Sequence, residues 1–311
     1  MSKREEILNT NDEKNSKLFT ELISGEKRTH LTKYDPMTGH LNDYPASLFW
    51  EPEYRETDYF GILFTSKGGS SWIRRNISKH GLERLEHPQY IPAWRYAISP
   101  DKKDSKKTQN ENSGEFRNIL NGSSEKDLIV VTRNPSKKFI SGLWEEINRA
   151  SQDPFIKGFL ISKGINFSND TNLLSLDDNE IENIIHAWIL GTYNLEGTLS
   201  FAHCRLHNEG YYHLLSSNNI NKKKLKIVNI DSKGGNLANL FSDYWPHLKN
   251  EYFEKEHFSS HRPKHERLLS ILLKICRKDH QTHRHIIDII TRDLYYFNKI
   301  NSEFKEQLYG L

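Results

Sequence analysis

The run Asp58-Tyr-Phe-Gly-Ile-Leu-Phe-Thr-Ser-Lys-Gly-Gly-Ser-Ser-Trp-Ile-Arg-Arg-Asn-Ile77 decides how the rest of the chain is read. Its apolar half, Tyr59 to Phe64, is short and continuous, which predicts a buried strand. The run breaks at Lys67-Gly68-Gly69-Ser70-Ser71, and Trp72, Ile73 and Ile77 then resume at helical spacing. A strand, a glycine-rich turn and a helix in this order make a cradle for negative charge. Gly68 and Gly69 let the backbone approach an anion, and Ser70 and Ser71 add hydroxyl donors. The amides of the first helical turn, through Trp72, are unpaired within the helix, and Lys67 brings a full positive charge. The simpler reading of the same residues is a turn with no ligand. A nucleotide-triphosphatase loop does not fit. That motif places its lysine after the last glycine with a hydroxyl residue following, whereas Lys67 precedes the glycines.

A second stretch, Asp127-Leu-Ile-Val-Val-Thr-Arg-Asn-Pro-Ser-Lys-Lys-Phe-Ile-Ser-Gly-Leu-Trp144, has the same plan. Leu128 to Val131 predicts a strand, Asn134 is a good helix cap, and Pro135 suits a first helical position. Arg133 therefore falls at the carboxyl end of a strand. Ser141 lies about two turns into the helix, where it can face the same crevice.

Lys67-Gly68-Gly69-Ser70-Ser71 resembles the 5′-phosphosulfate loop of sulfotransferases that use 3′-phosphoadenosine 5′-phosphosulfate (PAPS). Val131-Thr132-Arg133-Asn134-Pro135 through Ser141 resembles their 3′-phosphate motif. A looser stretch, Phe201-Ala-His-Cys-Arg-Leu-His207 with Tyr211-Tyr212 and the strand Leu225 to Asp231, is similar to the carbohydrate-type branch. The resemblance covers roughly residues 58 to 300. It implies an α/β, P-loop-like three-layer fold with a mainly parallel central sheet, PAPS as co-substrate, PAP as product and no metal. It also implies a hydroxyl or amine acceptor, with a carbohydrate suggested by the third stretch. Arg133 and Ser141 would hold the 3′-phosphate, and Arg262, in the basic loop Phe258 to Lys264, would close over the nucleotide.

Sulfuryl transfer is an in-line displacement in which charge gathers on the leaving phosphate, so protein cations can do the work of a metal. Lys67 and the amides of Gly68 to Trp72 are the groups expected to do it. The acceptor must also lose a proton. Several members of the family carry a histidine about twenty residues before the arginine, but no histidine stands between His87 and His186. Glu115 and His87 are the candidate bases. A helix-start glutamate that complements the dipole is the structural reading of Glu115. His203 and His207, with Cys204 between them, have metal-ligand spacing on a helix; the element fits better as part of an acceptor or cofactor wall. Three classes remain: a PAPS sulfotransferase, a phosphate-loop kinase, and a non-catalytic nucleotide-binding protein of the same fold.

Composition narrows the setting. The chain has 311 residues, 35% of them hydrophobic, with 6 Trp, 14 Tyr and 15 Phe, enough for a sizeable core. With 44 Lys and Arg against 41 Asp and Glu, the formal charge of +3 gives no bulk argument for nucleic acid. No window approaches the length of a membrane span and the start has no signal-peptide core, so a cytoplasmic enzyme of bacterial or viral type is expected. Only Cys204 and Cys276 are present, which excludes a disulfide framework. Residues 1–57 read as an irregular arm and 58–311 as the α/β domain. Residues 101–113, without one apolar side chain, read as a mobile insertion that is either a solvated loop or a lid.

Overall fold

The computed structural model describes residues 52–65, 68–84, 89–90, 114–150, 176–182, 185, 207–232, 237–248, 267–268, 270–272, 274–275 and 280–310. Most of the expected arm, the 101–113 insertion and the sites Lys67, His87 and Arg262 lie outside them. The described residues group into two compact units. One draws on Phe139–Arg205 and Phe258–Arg292, the other on Phe49–Lys138, Leu206–His257 and Asp293–Leu311. The expected boundary at residue 57 falls inside the second.

The second unit is built on a sheet. Its elements in chain order are β1 (Glu53–Glu56), β2 (Phe60–Phe64), α1 (Ser70–Lys79), β3 (Gln89–Tyr90), α2 (Gly114–Leu120), β4 (Asp127–Thr132), α3 (Pro135–Ala150), α4 (Asn208–Ser217), β5 (Leu225–Asn229), α5 (Leu237–Tyr244) and α6 (His280–Glu303). Helix α3 contributes residues 135–138 to this unit and α6 contributes 293–303. The strands lie in the order β3-β1-β2-β4-β5. Strand β4 runs parallel to both β2 and β5, while β1 is antiparallel to β2 and to β3. The fold is thus α/β with an open sheet whose parallel part is β2-β4-β5, as expected.

Strands β2 and β4 have apolar centres because both of their faces are covered, while β5 carries Lys226, half-buried against Asp127 and the Tyr244 ring, among Leu225, Ile227 and Val228. On one face Leu63, Leu128, Val130, Leu225 and Ile227 pack with Phe116, Tyr211, Leu214, Ile300 and Phe304. On the other, Phe60, Ile62, Phe64, Ile129, Val131 and Val228 pack with Ile73, Ile77, Leu240, Phe241 and Trp245. Each such side chain taken from water contributes roughly 1.5–3 kcal/mol, so a polar substitution at Ile129 or Val130 would open the centre of the sheet.

Strand β1 corrects the sequence reading, which left 53–56 in the arm. Its sequence Glu-Tyr-Arg-Glu lacks a hydrophobic alternation, and its buried carboxylates are instead matched by cations. Arg55 Nε donates to Glu53 at 2.7 Å and Arg55 Nη1 to Glu83 at 2.8 Å, while Arg74 of α1 donates to Glu53. Lys126 donates to Glu56 at 2.8 Å. Strand β3 is the two residues Gln89–Tyr90, and residues 91–100, whose apolar side chains read as a strand in the sequence, lie outside the described residues.

In the first unit, Asp177 and Glu180 cap a helix reciprocally, Glu180 N–H to Asp177 at 2.8 Å and Asp177 N–H to Glu180 at 2.9 Å. Ile181 and Ile185 are buried, as their spacing predicts, as are Leu268, Ile271, Leu272 and Ile275. Lys274 pairs with Glu182 at 2.7 Å. No described helix is long and apolar enough to cross a membrane.

Candidate functional site

Two of the sequence motifs meet at one edge of the sheet. Because β2 and β4 are adjacent and parallel, the turns that follow them leave from the same, carboxyl edge, where open α/β sheets bind ligands. The first turn carries Gly68 and Gly69, the second Arg133 and Asn134.

The first turn is made by backbone. Gly68 N–H donates to the Thr65 carbonyl at 2.9 Å, and Gly69 caps α1 in the left-handed region at φ 81°. A Cβ on Gly68 would stand 3.1 Å from the Thr65 carbonyl oxygen, and one on Gly69 3.1 Å from Leu237 Cδ1, so a side chain at either position would need its neighbour to shift by a few tenths of an ångström. Helix α1 has no side-chain cap and no acidic residue in its first turn. Its first closing bond is Ile73 N–H to the Gly69 carbonyl at 3.0 Å, and the amides of Gly69, Ser70 and Ser71 have no hydrogen-bond partner among the described residues. Thr65, which the sequence reading passed over, is buried, and its hydroxyl likewise has no partner among the described residues. This donor set suits an anion. The Trp72 ring packs edge-on against Phe241 with centroids 5.2 Å apart.

Side chains make the second turn. Asn134 Oδ1 accepts from Ser136 N–H at 3.0 Å and from Lys137 N–H at 3.4 Å, the cap its sequence position predicts. Asp231, just beyond β5, accepts Asn134 N–H at 2.8 Å and stands 3.5 Å from Arg133 Nε, a Coulombic contact at that range. Arg133 itself is only 9% exposed. The sequence reading used Asp231 only as the end of a strand; an acidic residue two positions after a parallel strand is the signal that would have placed it at this edge.

Behind Arg133 lies a buried polar cluster that sequence reasoning missed. Asn208 Nδ2 donates to the Arg133 carbonyl at 3.2 Å and to Asp293 Oδ2 at 2.6 Å, and Glu209 N–H donates to Asp293 Oδ1 at 3.2 Å. Burial pushes the Asp293 carboxyl up to about 6 and raises that of Glu209 as well. Lys138, fully buried, is the cation that draws Asp293 back toward ionisation. Burial, then Lys138, then Arg133 hold His207 well below the usual imidazole range, so it is neutral. Neither His207 ring nitrogen has a hydrogen-bond partner among the described residues. No three His, Cys, Asp or Glu side chains among the described residues stand together as a metal site; His203 and Cys204 lie outside them.

Two further candidates lie among the described residues. Ser141 is half-buried on α3 and belongs to the first unit. Glu115 is a correction. Its carboxylate accepts from the Ser124 hydroxyl, and Ser124 Oγ also takes Lys126 N–H at 2.9 Å, just ahead of β4. That is the amino edge of the sheet, separated from Arg133 by the length of β4, about 20 Å, so Glu115 is not placed to take a proton from an acceptor at the carboxyl edge. Comparison with protein-family models, with curated proteins and with solved structures returns no match for this chain.

Proposed function

We propose that the protein is a PAPS-dependent sulfotransferase of P-loop-like fold acting on a hydroxyl or amine acceptor, with a carbohydrate as the favoured class. The observation that carries this reading is that the Gly68-Gly69 turn and the Arg133-Asn134 turn follow adjacent parallel strands and leave from one edge. In this reading the first turn takes the 5′-phosphosulfate and the second the 3′-phosphate. The amides of Gly69, Ser70 and Ser71 with the Ser70 and Ser71 hydroxyls would bind the phosphosulfate oxygens, and Lys67 would follow them. Arg133 would meet the 3′-phosphate with a planar fork of donors, which a lysine lacks, together with Ser141. Arg262 is a further contact to the nucleotide.

The reaction moves the sulfonate in line: the bond from sulfur to the bridging oxygen breaks as the acceptor oxygen or nitrogen bonds to sulfur, and the acceptor proton leaves to a base or to solvent. Charge grows on the departing phosphate, and fixed amides with a lysine ammonium are worth most against charge that appears only there. Glu115 has no part in this scheme. The reading is tested by transfer of labelled sulfate from PAPS to a panel of acceptors, with and without magnesium. Label on a carbohydrate without added magnesium is the expected result. Tight PAP binding with no transfer to any acceptor would indicate a binding protein, and magnesium-dependent phosphate transfer a kinase.

A further inference from the structure

The carbonyl of Arg133 occupies a gap in the backbone pairing. One residue earlier, the Thr132 carbonyl receives Ile230 N–H at 3.2 Å, and one residue later the Asn134 carbonyl receives Lys138 N–H at 2.9 Å. The ladder has ended and the helix has not begun, so a buried carbonyl at 133 needs a donor from elsewhere. That donor is Asn208, fully buried at the start of α4. Its amide nitrogen has two hydrogens, one for Arg133 and one for Asp293. Asp293 in turn has both oxygens engaged, Oδ2 by Asn208 and Oδ1 by Glu209 N–H.

We propose that Asn208 and Asp293 are positioning residues for Arg133: together they fix the 133–134 peptide and so set the direction in which the arginine leaves β4. The inference rests on the proposed role of Arg133 at a 3′-phosphate. The same peptide supplies Asn134 N–H to Asp231, and Asp231 also faces Arg133 Nε. Rotating it would therefore disturb the arginine at its backbone and at its guanidinium together. A tie of this kind acts on the fit of the arginine to its anion and leaves the first turn, after β2, untouched.

The test is the ratio of affinities for PAP and for AMP, which lacks the 3′-phosphate, measured by calorimetry on the wild type, Asn208→Ala and Asp293→Asn. Wild type is expected to prefer PAP, and Asn208→Ala to lose about tenfold of that preference, the scale of one buried hydrogen bond, with AMP affinity held. Asp293→Asn should lose a smaller part. In the wild type, PAP should also slow hydrogen exchange of the Asn208 side-chain amide, since coupling between the two is reciprocal; this measurement decides the matter if Asn208→Ala does not fold. A wild type that prefers PAP, with the ratio kept in both variants or with no change in amide exchange, overturns the positioning role alone. A wild type with no preference for PAP over AMP overturns this role and the reading of Arg133 together.

Discussion

The two turns at the carboxyl edge differ in what holds them. The one after β2 is local: two glycines, a left-handed cap and a bond from Gly68 back to Thr65, with no side chain tying it down from elsewhere among the described residues. The one after β4 is held from a distance, by Asp231 beyond β5 and by Asn208 and Asp293 from α4 and α6. A backbone turn offers amides that suit charge developing in a transition state, whereas a braced arginine suits a phosphate that stays bound throughout. Under the proposed function the first turn would serve the chemistry and the second recognition.

The largest effect expected from this division is at Lys67. Lys67→Ala should cut sulfate transfer by on the order of a hundredfold, the scale of one lost oxyanion contact, while PAP affinity changes far less, because PAP has already lost the sulfonate. Equal losses in rate and in PAP affinity would make Lys67 a ground-state anchor and erase the contrast between the turns. Stability sharpens it next. Gly69→Ala forces an L-residue into the left-handed region and should cost about 1–2 kcal/mol, read as a fall in urea midpoint. Asn134→Ala removes a cap and should cost about 1 kcal/mol, but Asn134→Ser should restore most of it. A Gly69 variant as stable as wild type would show that the first turn is not held by its backbone.

This difference also sets what could be read from the sequence. Strands β2 and β4 were legible because burial on both faces gives each an apolar centre, β5 because Leu225, Ile227 and Val228 flank a single lysine, and the glycine turn because everything that makes it lies within a few residues. Strand β1 was not, since Glu53 and Glu56 are buried against Arg74, Arg55 and Lys126, and ion pairing hides the strand from a hydrophobic pattern. Nor was the brace behind Arg133, because Asn208 and Asp293 lie far along the chain and neither residue type announces a partner. Glu115 was misread for the opposite reason: its spacing, 18 residues before Arg133, looked suitable, yet its hydroxyl partner Ser124 holds it at the far edge.

Smaller effects should appear in the pH dependence of the second turn's brace. Asp293 titrates higher in the fold, at about 6, than its ordinary 3.8, so the folded state holds the extra proton and this group makes stability fall as pH rises from about 4 to about 6. His207 is depressed below its ordinary 6.5, so the unfolded state takes the extra proton and stability falls as pH drops below about 6.5. The two slopes oppose one another. Asp293→Asn should therefore lose stability more steeply than wild type on acidification below that point, in urea midpoints measured across the range; a slope equal to wild type would count against a buried, proton-binding Asp293. The smallest effect is at Glu115, where Glu115→Gln should leave sulfate transfer unchanged, and a loss of tenfold or more would return it to the site.

The most direct test of the division between the turns is titration of PAP and AMP into the wild type and Arg133→Ala. A charge-assisted phosphate contact is worth about 1.5–3 kcal/mol, so wild type should bind PAP about ten- to a hundredfold more tightly than AMP. Arg133→Ala should bring that ratio close to one with AMP affinity unchanged, since the first turn still holds the 5′-phosphate. A ratio that survives the substitution, or PAP and AMP lost in equal measure, would contradict the assignment of the 3′-phosphate to the turn after β4.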